Sequence, residues 1–284
     1  MRSFDGALKF AVQRPVKTAK TLAAFFINDT LKSRARDPEV LIVHPHAQRT
    51  GGNTLRRLVF AQALGPDKVY SRQYRPDPTV WKDASDATVA GVRAYSDHFD
   101  FRPNKVTRPL LPVALLRHPL YRAVSLYHFV RRKQTHKDHA LAMEHDLEAF
   151  YIRASERNPR YYVNLQCRRV CNAEDARVAL ETIASRYLAV GFTEELDAFA
   201  VALAELFGWQ KPAIEHTPAD AERYDAEISP SLRERVLADN AQDLLLYQTM
   251  RNGPPYALAL QSPRDEARSL VQRARRWAAA ALGR

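Results

Sequence analysis

Val40-Leu41-Ile42-Val43 is apolar throughout and mostly β-branched, the pattern of a strand covered on both faces. It leads through Gln48-Arg49-Thr50-Gly51-Gly52-Asn53-Thr54 into Leu55-Arg56-Arg57-Leu58-Val59-Phe60. A buried strand therefore runs into a glycine turn, and a helix starts at the turn. Such a turn presents unpaired backbone N–H groups and the positive end of a helix dipole to an anion above it. Arg49 adds a fixed charge, and Thr50 and Thr54 add hydroxyls, so the stretch reads as a phosphate or sulfate cradle. A second apolar run, Leu110-Leu111-Pro112-Val113-Ala114-Leu115-Leu116, ends at Arg117-His118-Pro119. Pro119 is placed to open a helix that carries Arg122, Ser125, Tyr127 and Phe129.

Strands alternate with helices elsewhere as well. Lys68–Ser71 and Arg93–Ser96 read as short strands, and Tyr187–Gly191 as a buried one. Ser85–Ala90 reads as a short helix with Ser85 as its N-cap. Helical pattern covers about 146–157 and 173–185, and Leu196–Phe207 has Thr193-Glu194-Glu195 as cap and acidic first turn. Pro230–Met250 reads as one long amphipathic helix broken by Gly253-Pro254-Pro255. The stretch 131–145 is polar and histidine-bearing and reads as a mobile, exposed segment; 212–230 reads as a linker. The class is α/β with a mostly parallel sheet. In such a sheet ligands sit at the C-terminal ends of strands, where both the Arg49 turn and Arg117 fall.

The chain has 284 residues and a net charge of +11, which points to an anionic partner such as a nucleotide, an acidic polymer or a membrane surface. Its two cysteines, Cys167 and Cys171, read as free thiols on a helix in a reducing compartment. His136, His139 and His145 do not form a metal-binding face, and no carboxylate cluster suits a magnesium ion, so no metal is expected. No run of about 18 apolar residues is present, and the expectation is a cytoplasmic protein with possible contact to the inner membrane face through its basic tail. The chain divides into a basic N-terminal extension (1–38), a central domain (39–252) and a basic helical tail (253–284).

Two ordered segments carry a family resemblance. Arg49-Thr50-Gly51-Gly52-Asn53-Thr54 after one strand, with Arg117-His118-Pro119-Leu120-Tyr121-Arg122-Ala123-Val124-Ser125-Leu126-Tyr127 after another, resembles the sulfotransferases that use 3′-phosphoadenosine 5′-phosphosulfate (PAPS). The likeness is greatest to the carbohydrate type, similar to heparan sulfate 2-O-sulfotransferase, in a bacterial-like form. Val190-Gly191-Phe192-Thr193-Glu194-Glu195-Leu196-Asp197-Ala198-Phe199 and Asn164-Leu165-Gln166 with Cys171 resemble later segments of that family in the same order. The resemblance implies a P-loop-like three-layer fold with a central, mostly parallel sheet flanked by helices. It implies PAPS as co-substrate, with the 5′-phosphosulfate in the cradle of Arg49, Thr50, Gly51, Gly52, Asn53 and Thr54, and the 3′-phosphate on Arg117 and Ser125. The chain departs from the family at Gln48 (usually Pro), Arg49 (usually Lys), Asn53 (Thr or Ser) and His118 (Asp or Asn). Arg49 keeps the charge of the lysine but is a planar fork, so its electrostatic role carries over better than proton donation.

Transfer to a hydroxyl requires a base. His98, after a strand and between the two motifs, is the first choice, because a histidine titrates near the working pH; Asp97 is the alternative base or the group that orients His98. Arg122 lines the site or pairs with an acid, and Tyr127 and Phe129 read as core. The expected activity is sulfuryl transfer from PAPS to a carbohydrate hydroxyl, on a glycan or glycolipid, with His98 and Arg49 as catalytic residues and no nucleic acid as partner. The alternatives are a nucleotide-dependent kinase or NTPase, whose usual Gly-Lys-Ser/Thr loop is missing here, and a non-enzymatic polyanion binder.

Overall fold

The computed structural model describes residues 25–75, 79–214 and 221–252. Among these, six strands form one sheet: β1 (Phe26–Ile27), β2 (Leu41–Pro45), β3 (Val69–Tyr70), β4 (Ala94–Asp97), β5 (Leu110–Leu116) and β6 (Ala189–Phe192). Their spatial order is β1-β6-β5-β2-β4-β3. β1 is antiparallel to β6, and the other pairs are parallel. The helices in chain order are α1 (52–64), α2 (Pro119–Arg132), α3 (His139–Glu144), α4 (Leu147–Arg157), α5 (Pro159–Tyr162), α6 (Leu165–Cys171), α7 (Ala176–Arg186), α8 (Leu196–Phe207), α9 (Ala221–Glu227), α10 (Pro230–Asp239) and α11 (Ala241–Asn252). The fold is α/β, a mostly parallel sheet with helices on both faces.

The apolar strands explain the layering. Ile42, Leu111 and Val113 face Leu55, Val59 and Phe60 of α1 and Leu196, Phe199 and Leu203 of α8 on one side. Leu41, Val43, Ala114 and Leu116 face Cys167 and Val170 of α6, Leu180 and Ile183 of α7 and Leu246 of α11 on the other. Each fully buried Leu, Ile or Val contributes roughly 1.5–3 kcal/mol of burial, so these central strands anchor the molecule. A third cluster, built from Leu120, Val124, Phe150, Tyr151, Leu232 and Val236, packs α2, α4 and α10 together.

From β2 the chain passes outward to β3 and returns through β4, then crosses to β5 on the opposite side of β2. The loops after β2 and β5 therefore diverge and leave a crevice at the C-terminal edge, where open α/β sheets place ligands.

Several expectations are corrected. β1 joins the sheet although it lies in the stretch read as an extension; 1–24 and the tail 253–284 fall outside the described residues. Ser85–Ala90 forms turns rather than a helix, with the Thr88 hydroxyl accepting the Ser85 N–H. The stretch 131–145 holds α3 and is tied down: buried Asp138 accepts from the Tyr162 hydroxyl at 2.8 Å, and a ring nitrogen of His139 bonds the Val130 carbonyl at 3.0 Å. The long helix expected at 230–250 is α10 and α11, parted at buried Asn240. The Asn240 amide donates to Tyr151 Oη at 2.9 Å, and its oxygen accepts from the Asn164 N–H at 3.1 Å. The linker stretch 212–230 contains α9. Thr193 does not cap α8; its hydroxyl donates to the Leu116 carbonyl at 3.2 Å. No described helix is long and apolar enough to cross a membrane.

Candidate active site

The turn after β2 is shaped by backbone that side chains tolerate poorly. Gly51 caps α1 with φ 87°, in the left-handed region that glycine enters without a steric penalty. A Cβ at Gly52 would sit 2.3 Å from the His46 ring, so the second glycine lets that imidazole pack on the turn. α1 begins with one α-helical turn, Gly52–Thr54, and continues in π geometry over Leu55–Phe60, a rare form that occurs frequently at functional sites. Thr50 is fully buried, and its hydroxyl donates to the Ala47 carbonyl at 2.9 Å. It closes the turn from inside rather than facing a ligand. Asn53 is oriented by chemistry: Arg56 Nη2 donates to Asn53 Oδ1 at 2.8 Å and to Gln73 Oε1 at 2.6 Å. Since arginine only donates, the Asn53 oxygen is committed and its NH₂ is left to donate outward.

Arg117 follows β5 and is 5% exposed. Its backbone is gripped by Gln166 of α6, and its Nη1 donates to the Arg49 carbonyl at 3.1 Å. Ser125 lies two turns into α2, and Arg49 Nε donates to its hydroxyl at 3.1 Å. The Arg49 guanidinium lies 4.9 Å above the Phe129 ring and that of Arg117 is 5.7 Å from the Tyr224 ring. Burial, then the charge of Arg117, pulls the Arg49 pKa down. Among the described residues neither arginine is paired with a carboxylate.

Three imidazoles line up beside the turn. His44 and His46 stack at 5.2 Å, and His46 and His98 rings lie 3.9 Å apart. His98 Nδ1 is 3.1 Å from the His46 carbonyl. A carbonyl only accepts, so Nδ1 carries the proton and Nε2 keeps the lone pair. Burial lowers the His98 pKa to about 4, with the hydrogen bond to His46 and the Asp97 charge opposing in part. His98 therefore does not titrate near the working pH as the sequence suggested: the imidazole is neutral at pH 7, with its Nε2 lone pair free to accept. Asp97 does not orient that ring: its oxygens accept the backbone N–H groups of His98 at 2.7 Å and Arg72 at 2.9 Å.

These groups open on a pocket of about 470 Å³. Arg49, Gly51, Gly52, Asn53, Thr54, His98, Arg117 and Ser125 all line it; Thr50 does not. Arg122 is also elsewhere, 1% exposed and donating to the Tyr162 carbonyl at 2.6 Å. Tyr127 is core as expected, whereas Phe129 lines the pocket beneath Arg49. Sequence reasoning missed His46, His136, Tyr161, Thr193 and Tyr224. His46 carried a signal, an imidazole two residues after His44 at the mouth of β2. Tyr224 carried none, because α9 reaches the pocket from about a hundred residues beyond α2. The lining contains no carboxylate, and among the described residues no cluster of His, Cys, Asp or Glu could hold a metal ion.

No protein-family model matches the sequence, and no curated protein matches it. Among solved structures the chain is similar to the sulfotransferase from Alicyclobacillus acidocaldarius. The two are 14% identical with a TM-score of 0.42, over 76% of this chain and 96% of that one.

Proposed function

We propose that this chain is a sulfotransferase that moves a sulfuryl group from PAPS to a hydroxyl of a carbohydrate acceptor, a glycan or glycolipid. The observation that carries the reading is the convergence of the 51–54 turn with Arg117 and Ser125. They lie far apart in sequence but open on one carboxylate-free pocket that holds two desolvated guanidinium groups. The donor set suits a nucleotide phosphorylated at two places. The N–H groups of the turn, the Asn53 amide and the Thr54 hydroxyl would hold the 5′-phosphosulfate. Arg117 and Ser125 would hold the 3′-phosphate by charge-assisted hydrogen bonds.

PAPS supplies the activated sulfuryl group; the protein supplies position and charge. Sulfuryl transfer is the counterpart of phosphoryl transfer, in which alignment and electrostatic stabilisation dominate. His98 Nε2 would take the acceptor proton, with Nδ1 anchored on the His46 carbonyl. Burial keeps the His98 ring unprotonated at neutral pH with Nε2 open, and also makes it a weaker base than an ordinary histidine.

Thermal melting with adenosine 3′,5′-bisphosphate, ADP and a polyanion tests the donor assignment. The bisphosphate should raise the melting temperature most, by linkage to the folded state. An equal shift with ADP would contradict it.

A further inference from the structure

The pocket is lined by two unlike sets of groups. One is the turn, with backbone N–H groups, Asn53 and Thr54, and His46 and His98 alongside. Burial holds His98 at about 4 and His46 well below its usual range, so at neutral pH that set has uncharged imidazoles. The other is Ser125 and Arg117, joined by the Arg49 guanidinium. Arg49 leaves the turn with φ 71°, in the region few side chains adopt, and its side chain runs to α2. There Nε bonds Ser125 Oγ at 3.1 Å while the guanidinium lies over Phe129 at 4.9 Å. Ser125 and Phe129 are one helical turn apart, so they present one face to it. Arg117 closes the group from the strand side by bonding the Arg49 carbonyl. Two like charges, one buried and one half-buried, thus stand together with no carboxylate partner among the described residues, an arrangement that a doubly charged anion would neutralise.

We propose that Arg49 is a specificity residue for the phosphate monoester at the 3′ position of the donor nucleotide, acting with Arg117 and Ser125, and that it does not serve the phosphosulfate. The arginine at this place directs its cation away from the turn N–H groups and toward Ser125 and Phe129. The phosphosulfate is then left to the turn N–H groups and Asn53, whose amide is set by Arg56. This assignment rests on the donor proposed above.

Titration calorimetry with two isomers tests it: adenosine 3′,5′-bisphosphate and adenosine 5′-diphosphate have the same composition and differ in where the second phosphate sits. Arg49→Asn is the main variant, because Asn tolerates the left-handed backbone, and Arg49→Gly is the second; circular dichroism checks that both fold. The wild type should prefer the bisphosphate. Both variants should lose about tenfold or more in affinity for it, the effect of one charge-assisted hydrogen bond, and change little toward the 5′-diphosphate. Equal losses on both isomers, or a greater loss on the 5′-diphosphate, would place Arg49 on the 5′ phosphate groups and overturn the assignment alone. A wild type without preference would overturn the donor reading and this assignment with it.

Discussion

Gln166 holds the backbone of Arg117 from both sides: its Oε1 accepts the Arg117 N–H at 2.8 Å and its Nε2 donates to the Arg117 carbonyl at 2.9 Å. Gln166 is itself fixed, since Asp243 accepts the N–H groups of Gln166 and Cys167 at 2.9 and 2.8 Å. The arginine at the mouth of β5 is thus clamped to α6, and α6 to α11. Gln166→Leu would leave two buried backbone groups unpaired, each costing about 1–3 kcal/mol. The expected result is a lower midpoint in urea unfolding together with weaker binding of adenosine 3′,5′-bisphosphate. An unchanged midpoint would show that the clamp contributes nothing.

Gly52→Ala should disable the turn, because the new methyl group meets the His46 ring at 2.3 Å. Overpacking of this kind costs roughly 1–3 kcal/mol. The effect is specific to one neighbour whose own Cβ lies 2.8 Å from the new methyl group, so Gly52→Ala combined with His46→Gly should recover much of the stability. Thermal melts of the two single variants and the double variant measure the coupling; additive losses would mean the clash is not with His46.

His98→Ala should leave binding of the bisphosphate intact and reduce transfer by about 10²–10⁴-fold, the range of a positioned general base. Asp97→Asn should have a smaller effect, since both Asp97 oxygens are engaged with backbone N–H groups. Near-normal turnover in His98→Ala would remove His98 as the base.

The imidazoles also set an acid limit on the fold. Burial lowers His44 to about 3, His98 and His118 to about 4, and His46 well below 6.5. The unfolded chain therefore binds protons, near pH 6.5, that the folded chain refuses. Stability is fully present above about pH 7 and falls as the pH drops from 6.5 toward 4, at up to about 1.4 kcal/mol per pH unit per group. Urea midpoints measured from pH 8 to 4.5 should decline steeply below 6.5. His44→Asn should flatten part of that slope; a pH-independent midpoint would contradict the lowered values.

What was readable in the chain was mostly local. The apolar runs at 40–43 and 110–116 announced central strands, and Gly51-Gly52 and Pro119 marked the turn and helix that follow them. The placement of the candidate binding residues on those elements came with them, since a strand end fixes where Arg117 and the turn must lie. Side-chain exchanges across the molecule were not readable. Asn240 splits 230–250 into two helices because Asn164 and Tyr151 engage its side chain, and nothing within that segment shows this. Tyr224 reaches the pocket only because α9 packs on α2, through Tyr121 to Asp225 and His128 to Glu227. The path of Arg49 to Ser125 depends on a left-handed backbone that the residue type does not suggest.

The central claim is sulfuryl transfer, and it is tested most directly by incubating the protein with radiolabelled PAPS and a panel of glycans and glycolipids, with His98→Ala in parallel. Label should appear on a carbohydrate acceptor with the wild type and be greatly reduced with the variant. Label that remains in the donor with every acceptor, or transfer that is equal in the variant, would contradict the account.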